Sequence, residues 1–243
     1  MNRPFDPVTY PPPSSARAAS ATVYDEGLRR HMLGVYRNMA LGLGITALVA
    51  LLIASTPALY QPIFGTPLKW VAIFAPLVFV LFFSFRVERM TIGQARTTFY
   101  AFAAVMGVSM ASIFLVFTGT SIALAFASAA AVFAGLSLWG YTTPVDLSRW
   151  STFLIVGLVG VVIASLVNLF VGSSTLQLVF SIVGVLVFTG LTAWDTQRLK
   201  SEYLAYAGSE RADELAVMGA LSLYLNLVNL FQLLLGLFGQ REE

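Results

Sequence analysis

The chain has 243 residues, of which 58% are hydrophobic and only 11% charged, with no cysteine and a formal net charge of +2. Soluble domains carry about a quarter charged residues, so the composition excludes an ordinary soluble enzyme and points to an integral membrane protein. The 14 Lys and Arg residues are spread over short segments and form no dense basic patch, which argues against a nucleic-acid partner, and the lack of cysteine excludes disulfides, thiolate metal sites and thiol nucleophiles.

Residues 1–30, with PVTYPPPSSARAAS at their centre, lack the apolar core and small-residue cleavage site of a secretory signal. They are too polar to offset the entropy of ordering, and a disordered, uncleaved tail is expected. A run of roughly 20 apolar residues crosses a bilayer as a helix. Length and breakers predict seven such runs, at 32–55, 68–87, 98–118, 120–140, 151–171, 176–200 and 212–238. Thr56 with Pro57, Pro62 and Pro67 separates the first two, Gly119 with Thr120 splits a long apolar run, and the GSS at 172–174 makes another tight turn. The expected fold is an all-α integral membrane protein, a seven-transmembrane-helix bundle over residues 31–239 with a short C-terminal tail at 240–243.

Cytoplasmic loops carry an excess of Lys and Arg. With the N-terminus inside, 12 of the 14 cations fall on the inner side, and only Lys69 and Arg241 fall outside. One missed or invented helix would scramble that alternation, so the odd span count and the topology support each other: N-terminus cytoplasmic, C-terminus outside.

Chemistry is sparse. GLSLWG at 135–140 offers Ser137, but the only histidine, His31, is expected ahead of the first span. No other base is available within the bilayer for an intramembrane serine hydrolase. No phosphate-cradling glycine loop and no metal-ligand spacing occurs, so no enzyme activity, resident metal or cofactor is expected.

A charge inside a membrane span normally faces the bundle interior or a water-filled cavity and has a partner. In the last span Gly219, Ser222, Asn226, Asn229 and Gln232 or Gly236 recur every three to four residues, which puts them on one helical face. That face should look inward, although small and amide residues also serve simply to let helices approach and bond. Ser181, Gly184, Phe188 and Asp195 form a comparable line on the preceding helix. Between the two helices, Gly208 reads as a helix stop and Ser209 as an N-cap. At 1.5 Å per residue, Asp195 and Asn226 lie about 20 Å and about 25 Å from that turn, at similar depth.

Asp195 then sits in the cytoplasmic half of the membrane, at the end where LFFSFRVERM closes the second span. Arg86 is a candidate cation for it, or else a positive-inside anchor that snorkels to the interface. Asp195 has its own simpler reading, an interfacial anion beside Arg198 three positions on.

WDTQRLK at 194–200, followed by GALSLYLNLVNLFQLLLGLFG at 219–239, resembles the Bax inhibitor-1/YccA family, also called the transmembrane BAX inhibitor motif family. The resemblance rests on an Asp-Thr-Gln signature in the sixth span and a YL-(D/N)-x-x-NLF signature in the seventh, and it covers residues 30–239. It implies a pH-sensitive calcium leak, with two acidic residues on the sixth and seventh helices forming a latch and an arginine of the second helix acting with them. Asp195 matches the sixth-helix aspartate and Arg86 is the best match for the arginine. The seventh-helix position holds Asn226 where the family's pH-sensing members have aspartate.

That departure has a physical consequence. Two close carboxylates share a proton and titrate as a coupled pair, whereas an amide does not titrate. Asn226 can still hydrogen-bond Asp195, so the latch geometry is expected to survive with a weakened proton switch.

Two functions follow from these expectations. The first is a passive cation leak, most naturally of calcium, through a pathway where Asp195, Asn226, Asn229 and Ser222 supply the oxygen ligands that hard cations prefer. The second is regulation of an FtsH-type, membrane-anchored AAA+ protease, as bacterial relatives resemble modulators of that quality-control enzyme, with the tail as the segment that enters or contacts it.

Overall fold

The computed structural model describes residues 14–207 and 210–241. Eight α-helices account for nearly all of them: α1 (Ser14–Ala54), α2 (Pro57–Phe64), α3 (Leu68–Arg86), α4 (Ile92–Val116), α5 (Gly119–Thr142), α6 (Ser151–Val171), α7 (Ser174–Tyr206) and α8 (Glu210–Phe238). Seven of the described helices are long and apolar enough to cross a membrane. The exception is α2, eight residues in the proline-rich connection, where Pro57 opens the helix at the position its fixed φ suits best.

The sequence breaks fall where local chemistry demands them. The 40-residue apolar stretch divides because Thr118 is extended and its side chain accepts from the Ser121 N–H at 3.3 Å, capping α5. At the next turn Gly172 adopts a left-handed φ of 66°, which glycine tolerates without steric penalty, and Ser173 caps α7 by accepting from the Leu176 N–H. α4 begins at a reciprocal box in which Thr91 and Gln94 satisfy one another's backbone N–H groups.

Three expectations change. The segment expected to remain an unstructured tail as far as residue 30 is helical from Ser14, and Leu28 is already buried in the core. The alanine-rich ARAASA stretch is a strong helix former that continues into the first span. His31 sits well inside α1, the helix that carries the first span, and is buried with its ring 4.8 Å from that of Tyr203. Residues 240–241 are tied down: Phe117 and Arg241 form an isolated antiparallel bridge, and the Thr118 N–H donates to the Gln240 carbonyl at 3.0 Å. The proposed stop at Gly208 and cap at Ser209 lie outside the described residues.

α8 is the centre of the bundle and packs against α1, α4, α5 and α7. Tyr224 shows how it is held. The ring is fully buried, edge-on to Phe99 and Phe102 at 5.6 and 5.9 Å, and its hydroxyl hydrogen-bonds Thr46 Oγ1 on α1 at 2.6 Å. Without a hydrophobic driving force between helices in lipid, such packing and interhelical hydrogen bonding replace it. α5 crosses α7 so closely that a Cβ at Gly140 would run into the backbone carbonyl of Ala193. That crossing fixes the part of α7 that carries the polar residues.

Candidate functional site

The segment Asp195–Lys200 of α7 joins its neighbours through nearly every polar side chain it has. Successive helical positions point in different directions, so Asp195 faces α8, Thr196 faces α5, Gln197 faces the α5–α6 connection and Arg198 returns to the Asp195 side three residues on.

Asp195 is 5% exposed and has both carboxylate oxygens occupied. Arg198 Nη2 lies 2.9 Å from Oδ1, and the Asn226 side-chain amide donates to Oδ2 at 2.7 Å. A buried charge is tolerable only when paired and hydrogen-bonded in this way. The same Arg198 Nη2 donates to Ser222 Oγ at 3.3 Å, its Nε is 3.5 Å from Glu202 Oε1, and the guanidinium lies 4.9 Å from the Trp194 ring centroid. One arginine therefore binds two carboxylates and bridges α7 to α8.

Behind Asp195 runs a chain of hydroxyls. Tyr36 on α1 hydrogen-bonds Ser137 on α5, and Ser137 bonds Thr196 Oγ1 at 2.9 Å. Thr196 in turn donates to the Thr192 carbonyl at 2.8 Å. Ser137 is thus engaged with hydroxyls, as befits a packing contact and not a nucleophile with its base.

Gln197 holds the α5–α6 connection with both ends of its amide: Nε2 donates to the Val145 carbonyl and Oε1 accepts from the Leu147 N–H, each at 2.8 Å. Lys200 donates to the Tyr141 carbonyl at 2.9 Å. Between this connection and α7 lies a cleft of about 460 Å³, lined by Asp146, Ser148, Trp194, Gln197 and Arg198 among others. Asp146 is exposed beside it, and hydrogen bonds from Ser148, then the charge of Arg149, hold its carboxyl below the usual range. Arg198 forms the wall between the cleft and Asp195.

Of the residues predicted from sequence, Asp195, Asn226 and Ser222 come together. Arg86 does not: it is exposed at the end of α3, which packs on α2 and α4, and it forms no ion pair among the described residues. The cation on Asp195 is Arg198 and not Arg86, but the carboxylate is buried and hydrogen-bonded to Asn226 and is not a solvated anion at an interface. Asn229 turns back to donate to the Leu225 carbonyl of its own helix at 2.8 Å. The inward stripe of α8 ends there, because Gln232 and Gly236 are exposed. Gln197 and the Tyr36–Ser137–Thr196 chain were not anticipated. Among the described residues no cluster of three or more His, Asp or Glu side chains offers a metal site.

The family described as "Inhibitor of apoptosis-promoting Bax1" matches residues 28–243. A protein of Rickettsia prowazekii is 42% identical over 220 residues, covering 90% of this chain and 93% of its own. The inner membrane protein YbhL of Escherichia coli K12 is 38% identical over 219 residues, 89% of this chain and 94% of its own. A membrane protein of Streptococcus pyogenes serotype M3 is 34% identical over 223 residues, 91% and 97% of the two chains. With seven membrane-crossing helices, the Asp195–Asn226 pairing across its last two helices and this match over most of its length, the chain belongs to the Bax inhibitor-1 family of integral membrane proteins.

Proposed function

We propose that this inner-membrane protein conducts a slow passive leak of cations, calcium foremost, and that the arrangement described is its closed state. One observation carries the reading: Arg198 stands between a polar cleft open at one end of the bundle and a carboxylate buried inside it. Both oxygens of Asp195 are engaged, so a cation gains that carboxylate only when Arg198 leaves it. Glu202, already 3.5 Å from Arg198 Nε, is a second anion on which the guanidinium can rest as it swings away.

Asn226 keeps one Asp195 oxygen oriented whatever happens at the other. As an amide it adds no titrating group beside Asp195, so the pH response of this site rests on Asp195, acted on by burial and by Arg198, together with Glu202 on the far side of that arginine. The excess of Lys and Arg on the α7–α8 side supports a cytoplasmic placement of that end, in which the cleft opens to the cell interior.

The test is calcium entry into liposomes reconstituted with the full chain. Arg198→Leu is expected to raise the leak and Asp195→Asn to change both its rate and its pH profile. An unaltered rate and profile in Asp195→Asn would remove Asp195 from the mechanism.

A further inference from the structure

α1 and α5 lie side by side with α8 behind both, and they meet through the Tyr36–Ser137 hydrogen bond at the floor of the seam between them. The seam between them opens as two cavities. One, of about 350 Å³, lies where the C-terminal half of α1 meets the start of α5 and is lined almost wholly by apolar side chains such as Leu43, Ala50, Phe114 and Phe126. The other, of about 880 Å³, lies at the opposite end and is lined by Met32, Leu33, Phe133, Ala134 and Leu138, with Glu26 and Arg29 on its lip. That volume falls within the range of roughly 300–1,000 Å³ typical of ligand pockets.

The lip has a particular charge pattern. Glu26 and Arg29 precede the apolar run that begins at residue 32 by about one to two helical turns, which puts both charges at the level of lipid headgroups. They are three positions apart on one helix face, both exposed, and neither is held in an ion pair among the described residues. Lys200, near Tyr141 on the facing wall, is already spent on that residue's carbonyl and ring. The free charges are therefore one anion and one cation, above an apolar trough that faces the bilayer.

We propose that the α1–α5 groove is a binding site for one phosphatidylethanolamine-type lipid. Its phosphate is held by Arg29, its ammonium by Glu26, and an acyl chain lies along Met32, Leu33, Phe133 and Ala134. A purely anionic headgroup satisfies Arg29 but meets Glu26 with like charge, and so is the poorer fit. The acyl chain covers apolar surface that neighbouring helices leave open, and a cation binding a phosphate makes one of the stronger hydrogen-bonding pairs available.

The experiment reconstitutes the full chain in vesicles of equal parts phosphatidylethanolamine and phosphatidylglycerol, extracts it in mild detergent, and counts retained lipid by native mass spectrometry. Preferential retention of phosphatidylethanolamine is expected, with about a tenfold loss in Arg29→Gln. In Glu26→Gln the preference over phosphatidylglycerol should vanish while the total bound stays the same. Ala134→Phe fills the trough from α5 and Leu33→Trp from α1, so two independent variants should each abolish retention while keeping wild-type helicity. Equal retention of both lipids by the unmodified chain, undiminished retention in both filled variants, or a protein dimer that those variants dissociate would each overturn the proposal.

Discussion

Asn226 and Asp195, 31 residues apart in the chain, are joined by one side-chain hydrogen bond of 2.7 Å between α8 and α7. The bond stands where a second acid would share a proton with Asp195. Asn226→Asp puts a second carboxylate against the first, with Arg198 the only cation in contact among the described residues, and like charges so close cannot both ionise freely. The calcium leak of Asn226→Asp liposomes should vary more steeply with pH than that of the unmodified protein. A profile that does not move would show that the coupled latch does not operate in this chain.

Arg198 and Arg86 make opposite predictions. Removing one partner of a buried ion pair leaves the other charge stranded and costs about 3–5 kcal/mol. Since Arg198 is itself partly exposed, Arg198→Leu should lose about 3 kcal/mol, the lower end of that range. Arg86→Gln, at an exposed helix end, should stay within about 0.5 kcal/mol of wild type. Unfolding in mixed micelles measures both, and equal losses would contradict the assignment of Arg198 as the partner of Asp195.

The α5–α6 connection should be only as ordered as Gln197 makes it. Gln197→Leu removes two hydrogen bonds and should cost about 1–2 kcal/mol. Its clearest effect should be local: amide exchange at Leu147, whose N–H Gln197 Oε1 accepts, should accelerate by an order of magnitude or more while that of α8 is unchanged. Uniform acceleration along the chain would mean that Gln197 acts on global stability instead.

Gly140 and Gly135 share a helix but not a fate. A methyl at Gly140 collides with α7 backbone, which has no flexible side chain to give way, whereas one at Gly135 meets nothing within 4 Å. Gly140→Ala should destabilise by about 1–3 kcal/mol and loosen the Asp195–Arg198 site with it. Gly135→Ala should be neutral or stabilise by up to about 1 kcal/mol. Thermal melting of the two variants in detergent decides the matter.

The spans were legible because each is long, apolar and punctuated, and Thr118, Gly172 and Ser173 act locally on the backbone in ways that short sequence windows reveal. Asp195 and Asn226 were legible because helical rise gives depth. Depth carries no azimuth, however. Arg86 was placed at the right end of the bundle but on a helix that packs elsewhere, and the true partner was the nearer one, at the i,i+3 spacing that puts Arg198 on the same face of α7. Gln197 was hidden for a related reason: it binds backbone groups of a connection, and no side-chain pattern in residues 143–147 announces that. The hydroxyl chain through Tyr36, Ser137 and Thr196 requires three helices to be docked before any two of its members meet.

The position of α8 bears on how the protein is made. It is the most enclosed of the seven spans, with 56% of its most apolar window buried, and it is the last to leave the ribosome. Until it arrives, α1, α4, α5 and α7 lack the element they share, and Asp195 has Arg198 but no Asn226. The six earlier spans can already pair as α1 with α4 and α7 with α5 and α6, and the two sets join fully only when α8 enters between them. A chain cut short before Leu215 would leave that interior face exposed to lipid, with Asp195 lacking one of its two partners.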